Sequence, residues 1–128
     1  MDSEIEQPKL AFDHFDLQKP LADAIRKIGF EYCTPIQAQS LVHTLQGHDV
    51  TGKAQTGTGK TAAFLITIIN DLLLNPIEQA RYIAEPRALI VAPTRELAQQ
   101  IASDAQLLTD GCDMSVVILV GGEDYAKQ

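Results

Sequence analysis

The sequence is short of positive charge. It has 10 Lys and Arg against 17 Asp and Glu, a formal charge of -7 and a pI of about 4.7. A general electrostatic grip on nucleic acid needs clustered Lys and Arg, so that class of binding is excluded and any nucleic-acid site must be local. Cysteine is scarce as well. Cys33 and Cys112 are far apart and fit no metal or redox spacing. Two loose thiols suit a reducing cytosol, and a cytoplasmic location is expected. His14, His43 and His48 share no ligand spacing and read as surface or satisfied residues. No long hydrophobic run exists. The longest, 62–74, is interrupted by Thr67, Asn70 and Asp71, and is too short to span a bilayer, so no membrane partner is expected. Residues 1–9 lack the apolar core of a signal peptide. Repeats and low-complexity tracts are absent.

What is present is globular. The chain has 128 residues, 45% of them hydrophobic and 21% charged, enough for one small domain. Residues 1–11 are polar and read as a flexible tail. Phe12 and Phe15 follow, conspicuous where aromatics make up 5% of the chain. Leu17, Leu21, Ile25 and Ile28 recur at helical spacing up to Gly29. Thr34 then caps a second helix, with Pro35 in its first turn and Gln37 where a capping box places Glu or Gln. Ile36, Leu41, Val42 and Leu45 form its expected apolar face, and Gly47 its end. A weak strand is expected at 49–54. A helix over 59–74, apolar nearly all round, is expected to be buried against a sheet and to stop at Asn75-Pro76. Residues 77–86 read as a surface connection. Residues 87–92 read as a buried parallel strand. Thr94 caps a helix whose core face is Leu97, Ile101, Ala105 and Leu108, ending at Gly111. Another strand is expected at 115–120, followed by a Gly121-Gly122 turn. Strand, helix, strand, helix, strand predicts an α/β layered fold with right-handed crossovers.

The most informative stretch is 54–61, Ala54-Gln55-Thr56-Gly57-Thr58-Gly59-Lys60-Thr61. It reads as a phosphate-binding loop at a strand-to-helix junction. The glycines let backbone N–H groups approach phosphate oxygens, and the following helix adds unpaired N–H groups and its positive dipole end. Lys60 would reach the β- and γ-phosphates of ATP, and the Thr61 hydroxyl would ligate Mg²⁺. The general pattern has Gly where this chain has Ala54.

Gln37 has two readings. As a cap, its side chain reaches back to the Thr34 backbone N–H, and the residues alone favour this. As a base reader, its carbonyl accepts from adenine N6–H while its NH₂ donates to N7, a pairing guanine cannot offer. Thr94 and Arg95 taken alone are a cap and a solvated Arg, Phe12 taken alone is core, and Gly121-Gly122 is a bare turn. Glu96 is a first-turn acid favoured by the helix dipole.

Taken together, these stretches resemble the DEAD-box helicases. Gly29-Phe30 with Thr34-Pro35-Ile36-Gln37 is similar to that family's Q motif (12–37 with the upstream aromatic Phe12), and 54–61 to its own form of the phosphate loop, in which Ala replaces the first Gly. Pro93-Thr94-Arg95-Glu96-Leu97-Ala98 is similar to motif Ia (93–98), and Gly121-Gly122 to the glycine doublet (121–122) that follows it. The likeness runs from 12 to 128. It implies a RecA-like P-loop NTPase fold, a parallel sheet with flanking helices, of which 12–128 would be the N-terminal part. It implies ATP and Mg²⁺ as cofactors, with Phe12 stacking on the base, Gln37 reading adenine and 54–61 holding the phosphates. It implies RNA as partner, gripped by Pro93, Thr94, Arg95, Gly121 and Gly122. Among bacterial members it implies a place in RNA degradation, with degradosome proteins bound through regions outside this chain. In such domains, strands from later in the sequence lie between the phosphate-loop strand and the motif Ia strand, so 49–54 is expected not to pair with 87–92. Asp-Glu-Ala-Asp and Ser-Ala-Thr do not occur in the 128 residues, so the fragment alone is expected to be inactive. Two rivals remain open: another P-loop ATPase acting on DNA, and a non-catalytic nucleotide- or partner-binding fragment.

Overall fold

Helix ends fall where local chemistry places them. The computed structural model describes residues 10–52, 59–76 and 86–122. Helix α1 spans Lys19–Ile28 with Pro20 in its first turn and Arg26 and Lys27 in its last, where cations meet the negative end of the dipole. Helix α2 spans Pro35–Thr44 and opens on a complete capping box between Thr34 and Gln37. Helix α3 spans Lys60–Leu74 with Gly59 as N-cap. Helix α4 spans Arg95–Leu108, capped by the Thr94 hydroxyl, which accepts from the Leu97 N–H at 3.2 Å. At the far end of α3, Arg87 Nη2 donates to the carbonyls of Leu72 and Asn75, covering acceptors that the helix leaves open. No described helix is long and apolar enough to cross a membrane.

The four helices share one core. Leu21 and Ile25 of α1, Leu41 of α2, Ala63, Leu65, Ile66 and Ile69 of α3, and Ala105 and Leu108 of α4 are buried together with Phe12 and Cys33. Helix α3 lies at the centre, in contact with each of the others. Polar bonds fix its neighbours. Asn70 Oδ1 accepts the Gln18 backbone N–H at 2.9 Å, tying the N-cap residue of α1 to α3. Thr67 and Thr44 hydroxyls meet at 2.7 Å between α3 and α2. The expected apolar face of α2 is corrected here. Val42 is 44% exposed, and the inward face is Gln37, Ser40 and Leu41. Residues 37 and 41 are one turn apart, and 42 is rotated about 100° off that line.

The expected sheet is not found among the described residues. No β-ladder forms over 49–52, 87–92 or 115–120; Lys53 and Ala54 lie outside the described residues. The isolated bridge is antiparallel, between Ala11 and Tyr32. It is flanked by Phe12 N–H to Glu31 O at 3.1 Å and Cys33 N–H to Leu10 O at 2.7 Å, so Leu10 and Ala11 of the expected tail are already tied down. Leu89 and Val91 are 82% and 83% exposed, and Val117 and Leu119 73% and 67%. The helices close their hydrogen bonds within four residues, whereas a strand closes them only against a neighbour. The described residues place no such neighbour beside these segments. The connection at 77–85 and the tail at 1–9 lie outside the described residues.

Leu21 is fully buried whereas Val42 is not. Leu21→Ala is expected to cost about 2–5 kcal/mol and Val42→Ala within about 0.5 kcal/mol, read as denaturant midpoints of the full-length protein. Equal losses at both positions would refute the core assignment.

Candidate functional site

The Thr34–Gln37 capping box reaches beyond its own helix. Gln37 Oε1 accepts the Thr34 N–H at 2.9 Å, and the Thr34 hydroxyl accepts the Gln37 N–H at 3.4 Å. Gln37 Nε2 then donates to the Gly59 carbonyl at 3.2 Å, across 22 residues of sequence. Gln37 is 4% exposed. Gly59 is the residue before Lys60 and Thr61, the first two residues of α3. It sits at φ 83°, a region that disfavours a side chain, and a Cβ there would stand 2.3 Å from Gln37 Nε2 and 3.3 Å from Thr34 Oγ1. Glycine is therefore demanded by both conformation and clearance. The capping reading of Gln37 is met in this geometry, and the base reading needs a donor and an acceptor to spare. An amide has two acceptor lone pairs and two donor protons. The cap uses one lone pair and Gly59 uses one proton, so one of each is left over, the complement of an adenine edge.

Of the expected phosphate loop, Ala54, Gln55, Thr56, Gly57 and Thr58 lie outside the described residues. Gly59, Lys60 and Thr61 are described, and Lys60 and Thr61 are half-buried. The N-cap of α3 is Gly59, which has no side chain with which to accept from the first-turn N–H groups.

Phe12 is buried at 4% exposure, with its ring stacked on Phe30 at 6.2 Å and 22°. It lines a cleft of about 810 Å³ formed by 11–17, 29–32 and one face of α1. Gln37 and Gly59 are not in its lining. One segment joins the two places: Glu31 holds Phe12, and Thr34 holds Gln37.

In the second expected cluster one bond joins the two stretches. Arg95 Nη2 donates to the Gly121 carbonyl, joining the start of α4 to the glycine doublet 26 residues later. Thr94 is engaged as the cap of α4, and Pro93, Thr94, Arg95, Gly121 and Gly122 are all exposed. Burial pushes the Cys33 thiol up, and burial with the nearby Asp110 carboxylate pushes Cys112 up, so neither is an activated nucleophile. Among the described residues no group of three His, Cys, Asp or Glu gathers around a metal-sized point. The sequence reading missed the clearance at Gly59 and the bond from Asn70 to Gln18. The second had a visible signal, an Asn within an otherwise apolar helix.

Comparison with known proteins follows the same residues. The profile of the family described as "DEAD/DEAH box helicase" matches residues 34–128. The "ATP-dependent RNA helicase RhlB" of Pseudomonas aeruginosa strain UCBPP-PA14 is 56% identical over 125 residues, covering 98% of this chain and 32% of that protein. The RhlB of Shewanella sediminis is 52% identical over 126 residues, covering 98% and 29%. The chain thus spans about a third of the length of the curated relatives it matches. Among solved structures, the RNA-helicase Prp28 from Chaetomium thermophilum bound to ADP superimposes with a TM-score of 0.76 at 40% identity, covering 88% of this chain and 27% of that one. A DEAD box protein from Methanococcus jannaschii gives 0.74 at 28% identity, covering 92% and 31%.

Gly59→Ala is expected to lose about 2 kcal/mol or more, because it forces a left-handed side chain against the Gln37 amide. A thermal melt of the full-length protein measures this. An unchanged midpoint would show that the junction yields freely.

Proposed function

Because the chain belongs to the DEAD/DEAH box helicase family, we propose that it is the nucleotide-binding front part of an ATP-dependent RNA helicase, in which ATP hydrolysis drives local separation of RNA duplexes. The observation that carries this reading is the bond from Gln37 Nε2 to the Gly59 carbonyl, which ties an adenine-competent amide to the first residues of α3. The names of the RhlB relatives and the ADP in the Prp28 structure support it.

In this reading Gln37 presents its spare lone pair and proton to adenine, and Phe12 supplies an apolar face for the ring. Residues 54–61 would surround the phosphates, with the N–H groups at the start of α3 taking part. Lys60 stabilises the charge of the transferring phosphoryl group. The Thr61 hydroxyl would supply one oxygen ligand to a Mg²⁺ ion, and such an ion would supply charge neutralisation for phosphoryl transfer. The water-positioning carboxylates and arginine fingers that phosphoryl transfer requires would come from the remaining two-thirds of the relatives' length. Residues 49–54, 87–92 and 115–120 would be strands of a RecA-like parallel sheet, completed by strands from that same remainder. The exposed apolar residues Leu89, Val91, Val117 and Leu119 support this, since a sheet of that kind is covered on both faces. Pro93, Thr94, Arg95, Gly121 and Gly122 would hold the RNA backbone without reading bases. A cytoplasmic place in RNA degradation, with degradosome proteins met through regions outside this chain, belongs to the same reading.

Turnover of the full-length protein tests the reading. RNA is expected to stimulate ATP hydrolysis and DNA to do so far less, and Lys60→Ala to abolish it. Gln37→Glu keeps the acceptor for Thr34 but loses the protons donated to the Gly59 carbonyl and to adenine, so ATP and GTP affinity are both expected to fall, ATP by about tenfold more. Equal stimulation by DNA, or an unaltered ATP-to-GTP preference in that variant, would overturn it.

A further inference from the structure

Arg95 occupies the first position of α4, and its guanidinium makes a bond within the protein. Nη2 donates to the Gly121 carbonyl, and the same nitrogen stands 3.0 Å from where a Cβ on Gly122 would lie. Gly122 has φ 81°, so position 122 is restricted to glycine by its backbone and by the guanidinium together. The Thr94 hydroxyl is likewise occupied, by the Leu97 N–H. Both polar side chains at this junction thus have intramolecular partners.

We propose that Arg95 is a positioning residue for the RNA backbone: it fastens the Gly121–Gly122 turn to the start of α4 through the Gly121 carbonyl, and leaves phosphate contact to backbone N–H groups. This rests on the RNA-binding reading above. A guanidinium-to-carbonyl bond is charge-assisted and directional, so it can hold a glycine turn in one arrangement. A turn ordered in advance loses less conformational freedom when a ligand arrives. The expected consequence is a short surface with fixed register, suited to phosphates of any base sequence.

The test is binding of a single-stranded RNA oligonucleotide by the full-length protein across a range of salt concentrations. Wild type is compared with Arg95→Ala, Gly122→Ala and the double variant, and the KM for ATP is measured in parallel. Each single variant is expected to weaken RNA binding about tenfold, the scale of one hydrogen bond to a charged group. The double variant is expected to be no weaker than the worse single, because both changes act through one turn. The dependence of log K on log salt is expected to keep its wild-type slope in Arg95→Ala, and the KM for ATP to stay unchanged. A slope reduced by about 0.7, as loss of one phosphate contact on a single strand gives, with effects that multiply in the double variant, would overturn the positioning role while leaving RNA binding intact. A wild-type protein that binds no RNA would overturn the RNA reading and this inference with it.

Discussion

The hydrogen bond from Gln37 to the Gly59 carbonyl is the constraint on which the arrangement of the first half depends. It is made by a side chain already held at its other end by the Thr34 N–H. Its orientation is therefore set by the start of α2, and the position of Gly59 by that orientation. Because Gly59 precedes Lys60 directly, whatever fixes Gly59 fixes the origin of α3 and the direction in which its first N–H groups emerge. A buried amide with one partner missing would lose its hydration without recompense, at a cost of about 1–3 kcal/mol. The bond is thus strongly enforced by its own burial, and a neutral capping motif fixes the start of the helix that follows.

The same logic runs down α3. A long apolar helix packed only by hydrophobic contacts can slide or rotate against its neighbours at little cost, since burial is non-directional. Three polar contacts remove that freedom: Gln37 with Gly59 at its start, Thr44 with Thr67 in the middle, and Gln18 with Asn70 further on. Among the described residues no buried side-chain nitrogen or oxygen lacks a partner. The exposed Lys27–Asp110 ion pair, which joins α1 to the end of α4, adds little beside these, because solvent screens it. It raises the Lys27 pKa and lowers that of Asp110, through their hydrogen bond first and their charges second.

How far the sequence could be read follows from the range of each interaction. Helix ends were legible because caps act over three or four residues: Thr34 with Gln37, Thr94 with Leu97, and Gly29 closing α1. The buried faces of α1 and α4 followed from their spacing. Helix α2 was misread at Val42 because its inward face is largely polar, and apolar residues alone do not mark such a face. The clearance that makes Gly59 obligatory depends on a side chain 22 residues away, and no local pattern encodes it. Motif resemblance grouped Arg95 with Gly121 and Gly122 as one functional set, but the bond that joins them is visible only in three dimensions.

The segments at 87–92 and 115–120 show the opposite limit. Their sequences carry a strong strand signal in Leu89-Ile90-Val91 and Val116-Val117-Ile118-Leu119, yet no ladder forms there among the described residues. Apolar composition states that a segment is to be buried; it does not state what buries it. For a helix the two questions separate, because the backbone is satisfied before packing begins. For a strand they are the same question, because the neighbour that satisfies the backbone also sets the plane on which side chains are covered. The four helices can therefore share a core around α3 while the strand sequences stay exposed.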